Sequence, residues 1–239
     1  MNSNTYRYRF SLFTATYNRS EKLKSLYQNI LNQDFKGTFE WIIVSDGSTD
    51  NTKDVVTELM RYNRIPIKFV NKENGGKHTA WRVATPMFEG QYVITLDDDD
   101  PITKDALSIF DSNWSNLEKS PDYDSFWEIK TRCQYEDGRL VGKPLAEPYL
   151  DSDFNEMCYK YKNLCEMNGC RKVDILRQHA SVPDSFDFEE KVSNFPEHLR
   201  WSKAARYYKT RFIPAVTRIY IVGHESLSTK GKTNNKRIM

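Results

Sequence analysis

Residues 91–100 read QYVITLDDDD: a short, mostly apolar run that ends in four consecutive aspartates. The run has the length and composition of a buried strand, and the acids fall where that strand ends. Working back toward the amino terminus, the same unit recurs. Residues 9–14 (RFSLFT) form a short apolar run that ends in the polar loop ATYNRS. Residues 39–44 (FEWIIV) lead into Asp46-Gly47-Ser48-Thr49, and residues 65–70 lead into Asn74-Gly75-Gly76. Between these runs, apolar residues return at helical spacing: Leu23, Leu26, Tyr27, Ile30 and Leu31 behind a Ser20 expected to cap the helix, then Val55, Val56, Leu59 and Met60, then Ala80, Trp81 and Ala84. A further helix through Leu107, Phe110 and Trp114 is expected behind a capping Thr103.

Alternating strands and helices predict an α/β fold, a mostly parallel sheet with helices on both faces. Sheets of this kind bind ligands at the carboxyl ends of their strands. The polar segments ATYNR, SDGSTDN, ENGGKH and DDDD all follow predicted strands. Beyond residue 120 the pattern loosens. A strand is expected over residues 126–135 and a turn at Glu136-Asp137-Gly138-Arg139. Short helices are expected near 155–165 and 173–179, a helix starts at Pro196, and residues 210–222 are strand-like. The expected division is a regular α/β half over residues 1–115 and a looser half with a basic tail over 116–239, both in one domain.

Composition bounds the possibilities. The chain has 239 residues, 38% hydrophobic and 28% charged, which is ordinary for a globular protein and excludes a disordered one. No apolar run approaches the roughly 20 residues of a membrane span. The opening MNSNTYRYR has no apolar stretch of a secretory signal, so the expected compartment is the cytoplasm. Cys133, Cys158, Cys165 and Cys170 show no C-x-x-C spacing and are expected to be reduced thiols rather than zinc ligands. The net charge of +2 hides an asymmetry: residues 200–239 hold ten basic side chains and one acid, so the first 199 carry −7. A basic end on an acidic body favours an anionic partner, a diphosphate or a lipid head group. Nucleic acid is not expected, because the pI of about 8.2 is below the usual footprint.

Four adjacent carboxylates repel one another, and a divalent cation relieves that conflict. An all-oxygen donor set favours Mg²⁺, Mn²⁺ or Ca²⁺. A helix cap would need only one of the four. Asp46 is open to two readings, a turn aspartate holding nearby amides or an acceptor for a nucleobase N–H. Gly75-Gly76-Lys77-His78 is likewise a tight turn with a surface lysine or a phosphate-facing helix start.

Together FSLFTATYNR, VSDGSTDNT, ENGGKHTA and TLDDDD resemble the inverting family 2 glycosyltransferases, which have the GT-A, Rossmann-like fold. The resemblance covers residues 8–110 and resumes from Cys170 to Ile213, where FPEHLRW and YYKTRFI are similar to the family's acceptor-side region. It implies a nucleotide pocket lined by Thr16, Tyr17 and Arg19, with Tyr17 near the base. Asp46 would accept the uracil N3–H, which favours a UDP-sugar, and Lys77 would lie near the diphosphate or the sugar. The family's Asp-x-Asp motif aligns with Asp97-Asp98-Asp99. Asp99 would hold Mn²⁺ or Mg²⁺ and Asp98 the ribose or sugar, with a slip of one residue to Asp100 left open. Glu197 takes the place of the family's catalytic base, with Trp201 flanking the acceptor. His224, in a segment similar to the family's His-x-x-x-Ser pattern, would touch the diphosphate or the metal.

The expected partners are a nucleotide-sugar donor and a saccharide or lipid-linked acceptor of cell-surface polysaccharide biosynthesis; the basic tail is open to two readings, a solvated end or peripheral membrane contact. The expected chemistry is single displacement with inversion. A nucleotidyltransferase would carry a glycine-rich first loop, and TATYNR has no glycine. The alternative from another class is a catalytically silent carbohydrate-binding or scaffolding protein with the same fold.

Overall fold

The computed structural model describes residues 6–145, 148–162, 165–179 and 198–221. Over these the chain runs β1 (Tyr8–Thr16), α1 (Ser20–Leu31), β2 (Phe39–Asp46), α2 (Thr52–Arg61), β3 (Ile67–Lys72), α3 (Lys77–Ala84), β4 (Gly90–Thr95) and α4 (Ala106–Leu117). Then follow β5 (Phe126–Tyr135), β6 (Leu150–Ser152), α5 (Phe154–Tyr159), β7 (Met167–Lys172), α6 (Val173–His179), α7 (His198–Ala204) and β8 (Lys209–Tyr220).

All eight strands join one sheet in the order β3-β2-β1-β4-β7-β5-β8-β6. β1 pairs in parallel with β2 and β4, and β2 with β3. β7 runs antiparallel between β4 and β5, which returns β5 and its parallel neighbour β8 to the direction of β4. The carboxyl ends of β1, β2, β4, β5 and β8 therefore share one edge of the sheet.

Side chains alternate across the strands, as pleating requires. Phe10, Leu12, Trp41, Ile43, Tyr92 and Ile94 pack on one face with α1, α2 and α4. Phe13, Ile42, Val44 and Val93 pack on the other with Ala80, Trp81 and Ala84 of α3, Val173 and Leu176 of α6, and Trp201 and Ala204 of α7. Trp41, Trp81, Trp114 and Trp127 are fully buried, each contributing roughly 2–3 kcal/mol by removal from water.

Three local expectations change. Ser20 is the first helical residue of α1 rather than its cap. Its amide donates to Asp50 Oδ2 at 3.2 Å, and Asp50 Oδ1 also accepts from the Thr52 amide and hydroxyl, so one turn aspartate serves the starts of α1 and α2. α4 begins at Ala106, with Thr103 in the preceding turn. β7 was not expected, because MNGCRK lacks a strand pattern. Its Asn168, Arg171 and Lys172 are nonetheless buried, since the neighbouring strands and loops meet their polar atoms: Glu128 pairs with Arg171 at 2.8 Å, Thr217 accepts from Asn168 at 2.9 Å, and the Tyr123 carbonyl accepts from Lys172 at 2.7 Å.

Candidate functional site

The loops at the carboxyl edge are tied to one another by side chains. After β1 the chain turns through Asn18, at φ 52°. Asn18 Oδ1 accepts from the Thr49 amide at 2.7 Å and the Asp50 amide at 3.3 Å, and its own amide donates to Ser48 Oγ at 3.0 Å. The loops after β1 and β2 thus form one unit. Gly47 sits at φ 78°, and a Cβ there would lie 2.7 Å from the Asn74 amide nitrogen, so the loop after β2 needs glycine to pass the loop after β3.

Asp46, at the end of β2, is 7% exposed. Its Oδ1 accepts from Lys72 Nζ at 2.5 Å and from the Gly75 amide at 3.0 Å, and its Oδ2 accepts from the Gly76 amide at 2.7 Å. Asn74 Nδ2 donates to the Asp46 carbonyl at 2.8 Å. The glycines therefore bind a protein carboxylate here, and their loop leads straight into α3. Asp46 Oδ2 still has room for a second donor.

The acid turn lies beside this unit. Thr16 Oγ1, at the end of β1, donates to Asp98 Oδ2 at 2.7 Å, and Arg19 Nη1 reaches both Asp98 Oδ1 at 2.7 Å and Asp99 Oδ2 at 2.6 Å. Lys77, the first residue of α3, pairs with Asp97 Oδ1 at 2.7 Å. Arg218, near the end of β8, donates to Asp97 Oδ2 at 2.7 Å and through Nε to Asp100 Oδ2 at 2.9 Å, and its Nη2 also meets Asp100. The Ile221 amide takes Asp100 Oδ1 at 3.1 Å. Both oxygens of Asp97, Asp98 and Asp100 are occupied. Asp99 keeps Oδ1 without a hydrogen-bond partner among the described residues.

The environments drive these carboxyl groups apart. Burial pushes Asp97 upward, but Lys77 and Arg218 outweigh it and hold the group well below the ordinary carboxylate range. Burial also raises Asp98, and there it prevails over the hydrogen bonds from Thr16 and Arg19.

The donor chemistry fits a hard divalent cation. Among the described residues no three acids, histidines or cysteines converge as a closed metal cage. The protein side would therefore be one or two carboxylates, Asp99 first and Asp97 next, with water and a diphosphate completing the shell. That is the usual manner of Mg²⁺ at phosphate sites.

Thr16, Arg19, Asp46, Lys77, Asp97, Asp98 and Asp99 thus meet at one edge, and Tyr17 lies among them, 49% exposed. Glu197, His224 and the basic tail lie outside the described residues. Trp201 does not offer a face to an acceptor. It is 6% exposed, with the Trp81 and Trp127 rings at 6.0 and 5.9 Å and the Arg171 guanidinium 4.1 Å from its own centroid. Among nearby aromatics, Phe126 and Trp127 are buried, whereas Tyr149, Tyr159 and Tyr161 are exposed. Lys72 and Arg218 are the site residues that sequence reading missed. A lysine ending the strand beside that of Asp46 was the available signal for the first; the second had none.

Residues 11–116 match the family model described as glycosyl transferase family 2. Over 100 residues the chain is 32% identical to the poly(ribitol-phosphate) beta-N-acetylglucosaminyltransferase TarS of Staphylococcus aureus, covering 41% of this chain and 18% of that protein. Over 105 residues it is 35% identical to the GalNAc(5)-diNAcBac-PP-undecaprenol beta-1,3-glucosyltransferase of Campylobacter jejuni, covering 42% of this chain and 32% of that one. In each case it spans well under half of the relative's length. Among solved structures, S. aureus TarS 1-349 in complex with UDP-GlcNAc superposes with a TM-score of 0.70 at 19% identity, over 92% of this chain and 60% of that one. The mannosyltransferase PcManGT of Pyrobaculum calidifontis, in complex with GDP-Man and Mn²⁺, gives 0.62 at 18% identity, over 95% and 61%. These likenesses establish the GT-A fold for the mixed, mostly parallel sheet.

Proposed function

The chain belongs to family 2 of the glycosyltransferases through its residues 11–116, and on that premise we propose that it transfers a sugar from a UDP-sugar to a hydroxyl of a saccharide or lipid-linked acceptor, with inversion, in building a cell-surface glycan. The observation that carries this reading is the meeting of Asp46 with the Thr16–Arg19–Lys77–aspartate cluster at one sheet edge. A uridine diphosphate needs an acceptor for its base N–H and positive charge for its phosphates, and that edge offers both. The relatives add support: one solved neighbour holds UDP-GlcNAc, and two curated relatives are named for acceptors that carry phosphate.

In this reading the uracil N3–H donates to Asp46 Oδ2, and the exposed Tyr17 ring packs on the base. Arg19 and Lys77 meet the diphosphate, and Asp98 meets the ribose or sugar. Asp99, and His224 by the family resemblance, would hold Mn²⁺ or Mg²⁺, which would supply positive charge against the charge that grows on the departing nucleotide. Glu197 accepts the proton of the acceptor hydroxyl as that oxygen attacks the face opposite the nucleotide. No helix among the described residues is long and apolar enough to cross a membrane, and the basic residues beyond 221 give the chain a means of lying against an anionic lipid surface.

The test is a screen of UDP-, GDP- and dTDP-sugars with Mn²⁺ for slow donor hydrolysis, which needs no acceptor. Hydrolysis confined to UDP-sugars is expected, and hydrolysis of GDP-sugars alone would contradict the donor assignment. Once an acceptor is in hand, Glu197→Gln is expected to keep donor binding and lose transfer. Retained transfer moves the base elsewhere.

A further inference from the structure

The four carboxyl groups of the acid turn face three basic side chains, Arg19, Lys77 and Arg218, so among the described residues at most one negative charge is left over. The three cations are not equivalent. The side chains of Arg19 and Lys77 are 32% and 38% exposed and approach from the open edge, whereas that of Arg218 is 11% exposed. Main-chain bonds also fasten the strand that carries Arg218 to the segment after the turn: the Ile219 amide donates to the Pro101 carbonyl at 2.8 Å and the Thr103 amide to the Thr217 carbonyl at 3.0 Å. Arg218 is thus held on a fixed backbone, and its buried guanidinium is bonded to two carboxylates at once. Arg19 and Lys77 reach theirs from more exposed positions, from which side-chain rotation can withdraw them.

We propose that Arg19 and Lys77 are exchangeable counter-ions that occupy the acid turn until a diphosphate draws them away, and that Arg218 is a fixed positioning residue holding Asp97 and Asp100 throughout. The inference rests on reading this edge as the donor pocket. A divalent cation arriving alone must push two positive groups off Asp97 and Asp99 and then face them across a few ångströms. Arriving with a diphosphate, it finds both groups engaged by phosphate oxygens and the carboxylates released. Cation and diphosphate binding are therefore strongly coupled, and the coupling is reciprocal.

Calorimetric titration of the full chain tests this, with Mn²⁺ alone, UDP alone, and Mn²⁺ at saturating UDP. Mn²⁺ is expected to bind at least about tenfold more tightly when UDP is present, within the usual span of coupled sites. Lys77→Met and Arg19→Met are expected to move the two ligands in opposite directions, with tighter Mn²⁺ alone and weaker UDP. A merely structural role would weaken both. Arg218→Lys, which keeps the charge, is expected to preserve the coupling, and Arg218→Met combined with Asp100→Asn, which removes the buried pair together, to reduce it in a chain that still folds by circular dichroism. Equal Mn²⁺ affinity with and without UDP, or Mn²⁺ affinity unmoved in both Lys77→Met and Arg19→Met, overturns the inference while leaving the donor pocket intact. Absence of UDP binding under every condition overturns the donor reading as well.

Discussion

Lys72 Nζ lies 2.5 Å from Asp46 Oδ1, joining the ends of two neighbouring parallel strands, and the Gly75 amide shares the same oxygen. Asp46 thus fixes the loop before α3, and in the proposed donor reading the same carboxylate would also accept the base N–H. Asp46→Asn puts an amide donor where the Gly76 amide or Lys72 needs an acceptor. We expect a loss of about 1–3 kcal/mol in stability, the usual cost of an unmet buried polar group, and at least tenfold weaker UDP binding. Lys72→Met is expected to cost less stability, because the glycine amides remain on the carboxylate. Thermal unfolding and calorimetry read the two effects separately.

Asp97 gives the acid limb of stability a defined shape. Its carboxyl is held below the ordinary range by Lys77 and Arg218 against the opposing effect of burial, so in the folded chain it stays ionised where an unfolded aspartate takes up a proton. The stability this contributes is present above about pH 4 and is lost as pH falls from there through the depressed folded value. With metal chelated, Asp97→Asn is expected to be less stable than the wild type at pH 7, and the difference to shrink as pH drops below about 4. A difference that stays constant across that window contradicts the ion pairing.

Lys172 gives a slope of the same sign from a different cause and at alkaline pH. It is 8% exposed, packed 3.3 Å from the Tyr123 ring centroid, and burial pushes its pKa down to about 8. Between pH 8 and the ordinary lysine value the unfolded chain holds a proton that the folded chain has released, so stability rises with pH across that window. Relative to Lys172→Met, the wild type is expected to gain up to roughly 3 kcal/mol from pH 7 to pH 10.5, read from urea unfolding. A pH-independent difference would show that the ammonium is solvated.

Trp201 is a core residue in this fold, wedged against Trp81, Trp127 and Arg171. Trp201→Ala is expected to cost about 3–5 kcal/mol through the cavity it leaves. Trp201→Phe is expected to retain the acceptor KM, and a selective rise in KM at unchanged stability would restore a role beside the acceptor.

What the sequence conveyed, and what it did not, follows from the range of the interactions. β1 to β4 and the helices between them announce themselves because their apolar positions repeat locally, and the loops at their ends are marked by aspartate and glycine. β7 stayed hidden because its burial of Asn168, Arg171 and Lys172 depends on Glu128, Thr217 and Tyr123, whose nearness only the folded sheet creates. Arg218 was illegible for the same reason: it reaches Asp97 across 121 positions of sequence. The acid turn read as a bare cluster seeking a cation, and the protein itself supplies part of that charge. Asp99 and Asp100 were indistinguishable as letters. In the fold Asp100 is consumed by Arg218 and the Ile221 amide, while Asp99 Oδ1 has no hydrogen-bond partner among the described residues.

The most direct test of the central claim is calorimetry of UDP and Mn²⁺ binding to the wild type and to Asp99→Asn. If this edge of the sheet holds a metal-linked sugar nucleotide, the wild type binds UDP with Mn²⁺, and the substitution weakens that binding by tenfold or more while leaving the unfolding temperature nearly unchanged. Equal binding by both proteins, or no heat from either, would contradict it.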